Sequence, residues 1–349
     1  MKSESNCASQ ENPDEAGALR KRLLRLGSDE IRFFAEEGYL VVKGLLDPAQ
    51  DLDPIIAEYS GVLDRLASHL YKQGTVASTY AGQPFSERFI RLCHDAKKFL
   101  RQHFEFTLPQ KDIRSDTPIW VGPAIFNMLR NERLLDAVED LIGPEIYSNP
   151  VQHVRMKIPE DRALRDPSGA LIDGVTLWHQ DGGVVLPEAD QTEMLTVWFP
   201  LLDAPIESGC LHLLPRSHRK GLRVHCPRSG TVSFTAIPDS QLADVAEAVS
   251  LPLMRGDVLF MHRLTPHSSL PNLSQNLRCS LDLRYNPVGQ PTGRGAFPGF
   301  VARSRAHPET ELRDQAVWAQ MWYDTRRRLV ETPEPTSFNR WDAKAVACA

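Results

Sequence analysis

A change of texture near residue 146 constrains this 349-residue chain more than any single motif does. Before it, apolar residues recur at helical spacing. Leu52, Ile55, Ile56, Tyr59, Val62, Leu63, Leu66 and Leu70 predict a helix over about 50–73. Further helices are predicted over about 87–104 and 124–141, with Gly143-Pro144 ending the latter. A short amphipathic helix opens at Ser28, a good N-cap, and closes at Gly38, ahead of a strand over 39–43. From 146 to about 287 the apolar runs become short, and Gly, Pro, Asp and Ser interrupt them. Strands are expected over 151–157, 194–199, 210–214, 257–261 and 279–285. Many short strands separated by turns predict a mainly β fold with flanking helices, its core a sandwich or barrel of the jelly-roll kind. A Gly/Pro-rich loop and a helix over about 309–330, carrying Trp318 and Trp322, follow. The expected organisation is a single domain over 1–349. It comprises a disordered lead-in (1–17), a mainly helical part (18–145), the jelly-roll core (146–287) and a loop, helix and polar tail (288–349).

Composition narrows the classes of partner. With 42% hydrophobic and 24% charged residues, the chain can bury a sizeable core. A net charge of -5 argues against nucleic acid or an anionic membrane as partner. No apolar run approaches the roughly 20 residues that span a bilayer, and residues 1–15 lack the apolar stretch of a secretory signal. Cys7, Cys93, Cys210, Cys226, Cys279 and Cys348 have no CxxC spacing, so reduced thiols and a cytoplasmic location are expected.

The stretch Thr176-Leu-Trp-His-Gln-Asp-Gly-Gly183 carries the chemistry. Residues i and i+2 of a strand share a face, so His179 and Asp181 can aim a nitrogen and an oxygen at one point. These are two members of a 2-His-1-carboxylate facial site, which leaves positions open on non-haem Fe(II). A jelly roll gathers distant strands at one mouth, so a late histidine is the natural third ligand. The candidates are His212, His218, His225, His262 and His267. His267 lies in Thr265-Pro-His-Ser-Ser269 and precedes Arg278 by eleven residues (278 − 267), where the returning strand would bring a guanidinium back to the site. A guanidinium facing a metal suits a bidentate carboxylate, although Arg278 could instead pair with Asp282.

The set His179-Gln180-Asp181, His267, Ser269 and Arg278 resembles the phytanoyl-CoA dioxygenase family of Fe(II)/2-oxoglutarate oxygenases. Similar to that family, too, are Glu207-Ser-Gly-Cys-Leu-His-Leu-Leu-Pro-Arg-Ser-His218, the strand Arg255-Gly-Asp-Val-Leu-Phe-Met-His262 and the entry Phe33-Phe-Ala-Glu-Glu-Gly-Tyr-Leu-Val-Val-Lys43. The resemblance spans about residues 28–287 and implies a double-stranded β-helix of the cupin type. It implies His179, Asp181 and His267 as iron ligands, with His262 the rival for the last. It also implies Arg278 and Ser269 on the distal carboxylate of 2-oxoglutarate, and Trp198 lining that pocket. Gln180, Gln152 and Lys157 are candidate substrate contacts, while His218 is expected to hold a turn.

The function this implies is hydroxylation of a small molecule by Fe(II), 2-oxoglutarate and O2, with release of succinate and CO2. Asp181 leaves no vacancy for chloride, which disfavours halogenation. Two rivals remain: a non-catalytic jelly-roll binding protein, and a cupin-type metalloenzyme that does not use 2-oxoglutarate. Arg303 and Arg305 are expected mainly at the surface, as are Glu139 and Asp140.

Overall fold

A computed structural model describes residues 25–333 apart from 168, 173 and 229–233, together with 340–342 and 344–348. The lead-in over 1–17 lies outside these residues. Helix α1 (Ser28–Glu37) begins after Gly27, whose N–H is held by Glu30, and ends at Gly38. Gly38 is left-handed (φ 79°), and a Cβ there would sit 2.3 Å from the His218 ring, so the turn requires glycine twice over. Strand β1 (Tyr39–Val42) follows, then α2 (Asp53–Lys72) and α3 (Phe85–Ala96). The helix expected to reach residue 104 stops at Lys97, which adopts the left-handed region, and a 3-10 turn over 101–103 takes its place. The helix expected over 124–141 is two, α4 (Pro123–Leu129) and α5 (Glu132–Ile142). Asn131 divides them because its side chain caps the second, accepting from the Leu134 N–H at 3.1 Å.

The β region follows as β2 (Glu145–Lys157), β3 (Leu195–Pro200), β4 (Leu211–Leu213), β5 (Cys226–Arg228), β6 (Phe234–Ala236), β7 (Val249–Leu251), β8 (Val258–His262), β9 (His267–Ser269), β10 (Arg278–Pro287) and β11 (Phe300–Ser304). Six strands form one sheet in the order β1-β8-β3-β10-β2-β11, faced by β7-β4-β9, with β5-β6 a separate pair. The non-sequential order is that of a jelly roll, as expected from the pattern of short strands. Strand β11 falls where a loop was expected, in the Gly/Pro-rich stretch, because its short run pairs along the edge of β2.

Alternation on β10 divides two environments. Cys279, Leu281, Leu283 and Tyr285 point outward into the main core with Val197, Phe199 and Phe260. There they meet Ile55, Tyr59 and Phe89 of the N-terminal helices and Trp318 and Trp322 of α6 (Gln315–Glu331). Each such side chain contributes roughly 1.5–3 kcal/mol on burial. Arg278, Ser280, Asp282 and Arg284 point inward between the sheets, and all four are buried. Trp198, Leu211, Leu213, Leu259 and Met261 form a second apolar cluster.

Two sequence expectations are corrected. Cys226 and Cys348 form a disulfide, because residues 344–348 fold back onto β5 across 122 residues, a proximity that cysteine spacing cannot disclose. Cys93, Cys210 and Cys279 are free and buried, as expected, and Cys7 lies outside the described residues. Arg303 is buried rather than at the surface, because Glu132, Asp136 and Glu139 of α5 surround its guanidinium. Arg305 is exposed and shares Glu139, while Asp140 pairs with Arg25.

Candidate metal and co-substrate site

His179, Asp181 and His267 meet inside the jelly roll, each offering a ligand atom within 4.8 Å of the others. The backbone sets this up directly. His179 N–H donates to the His267 carbonyl at 3.0 Å, and His267 N–H donates back to His179 at 2.9 Å, so the residues form an antiparallel bridge. Their rings lie 4.2 Å apart. Gln180 is extended (φ -117°, ψ 141°), which keeps Asp181 on the same face as His179 before the chain turns over Asp181–Gly183. Gly183 leaves room for the His225 ring, which would lie 2.3 Å from a Cβ there.

Each histidine is oriented by the carbonyl two residues earlier. The Nδ1 of His179 lies 2.8 Å from the Leu177 oxygen, and that of His267 lies 3.0 Å from the Thr265 oxygen. A carbonyl can only accept, so the proton sits on Nδ1 in both and the Nε2 lone pair faces the centre. Burial, with His267 alongside, drives the His179 pKa well below its ordinary value and keeps it neutral. Burial would by itself raise Asp181. The Arg284 charge, the two histidines and the Thr196 hydroxyl outweigh it and hold Asp181 ionised, well below the usual carboxylate range. Thr196 donates to Oδ2 and Arg284 to Oδ1, the oxygen 3.9 Å from His179 Nε2. Arg284 also donates to the Val151 carbonyl at 2.9 Å and to Asp282 at 3.3 Å. Two imidazoles held by backbone carbonyls at Nδ1 and one fixed carboxylate form a donor set suited to Fe(II).

Beside them lies a second cluster. Lys157 and Arg278 are directly opposed across β2 and β10. Lys157 Nζ donates to Ser269 Oγ at 2.6 Å and to the Leu270 carbonyl at 2.8 Å. Ser269 Oγ also accepts from the Thr176 N–H at 2.9 Å. Both its lone pairs are engaged, so the hydroxyl proton is left to donate to a third group. Arg278 does not pair with Asp282, which takes Arg155 and Arg284 instead. It donates to Ser280 Oγ at 2.7 Å, its Cζ lies 5.8 Å from the Trp198 ring, and its buried Nε has no hydrogen-bond partner among the described residues. Burial, aided by Arg155, pushes its pKa down to about 10. A buried guanidinium with an unmatched donor beside an oriented hydroxyl is what an anionic oxo acid requires, so these residues fit 2-oxoglutarate.

The remaining candidates divide. Gln180, expected against substrate, faces away: its amide donates to the Gly221 and Leu264 carbonyls and accepts from Arg223 N–H, and the residue is fully buried. Lys157 hydrogen-bonds Ser269 and stands opposite Arg278. Gln152 is buried, with its Oε1 lacking a hydrogen-bond partner among the described residues. His262 lies outside the triad, its ring 5.1 Å from His218 and its Nδ1 accepting from Leu264 N–H. His218 holds a turn against the Ala35 carbonyl, and His212 stacks on Trp178. Sequence reading missed Thr196 and Arg284, and it named His225 only as a possible third ligand, whereas its Nε2 accepts from the Gln180 N–H at 2.8 Å. The first two had a signal, since inward alternation on β3 and β10 aims them at the site.

The chain matches the family profile described as phytanoyl-CoA dioxygenase (PhyH) over residues 34–280. It is 32% identical over 274 residues to 1-deoxypentalenic acid 11-beta-hydroxylase of Streptomyces exfoliatus, covering 76% of this chain and 83% of that protein. The like-named Streptomyces arenae protein is 32% identical over 138 residues, 38% of this chain, and there the match spans about half (48%) of the relative's length. Phytanoyl-CoA dioxygenase domain-containing protein 1 of Bos taurus is 32% identical over 72% of this chain and 87% of its own. Among solved structures, the non-heme monooxygenase ThoJ shares the fold with a TM-score of 0.54 at 18% identity, over 87% of this chain and 98% of that one. The chain belongs to the phytanoyl-CoA dioxygenase family of Fe(II)- and 2-oxoglutarate-dependent oxygenases.

Proposed function

We propose that the protein hydroxylates a small organic molecule, holding Fe(II) on His179, Asp181 and His267 and 2-oxoglutarate on Arg278 and Ser269. The carrying observation is the convergence of the triad within 4.8 Å, with Arg278 buried beside it and its Nε unmatched. When bound, the iron centre with 2-oxoglutarate and O2 supplies the oxidising power, with succinate and CO2 as by-products. The chain's own residues do the rest. Leu177 and Thr265 keep the imidazole protons on Nδ1, and Thr196 and Arg284 keep Asp181 ionised and turned to the centre. Arg278 and Ser269 orient the co-substrate through its distal carboxylate, and Trp198 walls that end. Leu259, Met261 and Leu213 limit water.

Two relatives named as hydroxylases of 1-deoxypentalenic acid support a small carbon-skeleton substrate and C–H hydroxylation. We assign the whole chain to one catalytic domain. No helix among the described residues is long and apolar enough to cross a membrane, and the net charge of -5 disfavours nucleic acid. The test is succinate formation from 2-oxoglutarate with Fe(II) and O2. Turnover is expected in the wild type and at background in Asp181→Ala. Equal turnover in the two would remove Asp181 from the metal site.

A further inference from the structure

We propose that residues 340–342 and 344–348 are a positioning element of the metal site, clamping the stretch from His179 to Gly183. The metal itself rests on the reading above; the clamp is seen in the chain alone. The segment touches the turn's surroundings at three places. Arg340 pairs with Asp190, with Nη2 to Oδ2 at 2.8 Å. Trp341 Nε1 donates to the Gly183 carbonyl at 2.6 Å, closing the end of the turn. Cys348 is bonded to Cys226, the neighbour of His225.

His225 transmits the contact. Its ring stacks on Trp341 with centroids 5.1 Å apart and planes at 23°. Its Nδ1 lies 2.9 Å from the Arg223 carbonyl, so the proton is on Nδ1 and Nε2 is the acceptor. That Nε2 receives the Gln180 N–H at 2.8 Å, midway between the two ligands. Gly183 lacks the Cβ that would displace the ring. Trp341 therefore holds the turn twice, directly at Gly183 and through the His225 plane at Gln180. The disulfide keeps the segment close, so the contact need not be re-formed from solution. No other described hydrogen bond joins the Gln180 N–H or the Gly183 carbonyl to the protein.

The variants are Trp341→Ala, Trp341→Phe and Cys348→Ser, compared with wild type in the full chain. Hydrogen exchange of residues 179–184 in metal-free protein reads the clamp without the metal. Exchange is expected to quicken at least about tenfold in Trp341→Ala and Cys348→Ser. Trp341→Phe, which keeps the stack and loses the donor, should fall between. Cobalt(II), used as the probe, should leave the first two variants at least about tenfold faster when a chelator is added. Exchange in the β10 core should not change, which separates a clamp from general destabilisation. Wild-type exchange at 179–184 in Trp341→Ala overturns the proposal, as does quickened exchange that leaves cobalt release unchanged. Faster exchange in protein that binds neither cobalt nor Fe(II) in any form overturns the iron reading and leaves the clamp standing.

Discussion

Asp181 is the residue on which the site's electrostatics turn. It is a fully buried carboxylate, and such a group persists ionised only where charge and donors compensate it. Arg284 supplies the charge, and Thr196 fixes the second oxygen. Partners of this kind typically govern metal affinity by 10–100-fold. Thr196→Val is therefore expected to weaken Fe(II) binding by about that range, with Thr196→Ser staying near wild type; anaerobic titration decides. Arg278 makes a separable prediction. Arg278→Ala should weaken 2-oxoglutarate binding at least about 30-fold, near 2 kcal/mol, with Fe(II) affinity changed by less than about threefold. Calorimetry with 2-oxoglutarate on metal-loaded protein, repeated with pyruvate, isolates the distal carboxylate: pyruvate binding should be indifferent to the substitution. Arg278 was legible from its spacing to His267. Arg284 shares its inward alternation on β10 but was not singled out, because its partner Asp181 lies 103 residues away and only the folded chain brings them together.

Among the elements, the helices show where periodicity stops being informative. The apolar pattern over 124–141 is continuous, yet Asn131 breaks it by capping α5. Asn131→Ala should cost about 1 kcal/mol, measurable by denaturant titration. A loss below about 0.3 kcal/mol would mean that the break is held by packing instead. Helix α3 is tied to the segment after β2 by Glu87, which binds Arg162 at 2.8 Å and Arg91 at 2.6 Å. Those guanidiniums, Arg162 first, lower the Glu87 pKa to about 2 from 4.5. A depressed carboxylate stabilises the fold above its unfolded pKa and loses that contribution as pH falls through its folded value. Glu87→Gln should thus melt lower than wild type at pH 6, by on the order of 1 kcal/mol after solvent screening. The gap should close as pH falls from about 4.5 to about 2; a gap of constant size would assign the effect to packing. Strands β3, β8 and β10 were legible because short apolar runs are bounded there by turn residues. Strand β11 was hidden among glycines and prolines, where pairing with β2 rather than propensity decides.

At the scale of the molecule, one long-range cross-link joins layers that sequence reading treated as separate. The jelly-roll core and the ligand order were readable because each motif is short. The Cys226–Cys348 link was not, since its partners are 122 residues apart and only the folded path brings them together. Removing it with Cys226→Ser should lower unfolding free energy by about 2–5 kcal/mol; denaturant midpoints under non-reducing conditions give the value. Trp341 follows Gly183 by 158 residues, while His179, Asp181 and His267 all precede it. During synthesis at roughly 5–20 residues per second, Trp341 is added several seconds after His267, the last of the three. If the clamp acts as proposed, newly made protein passes through an interval in which the stretch from His179 to Gly183 is loosely held, and the arrival of Trp341 ends it.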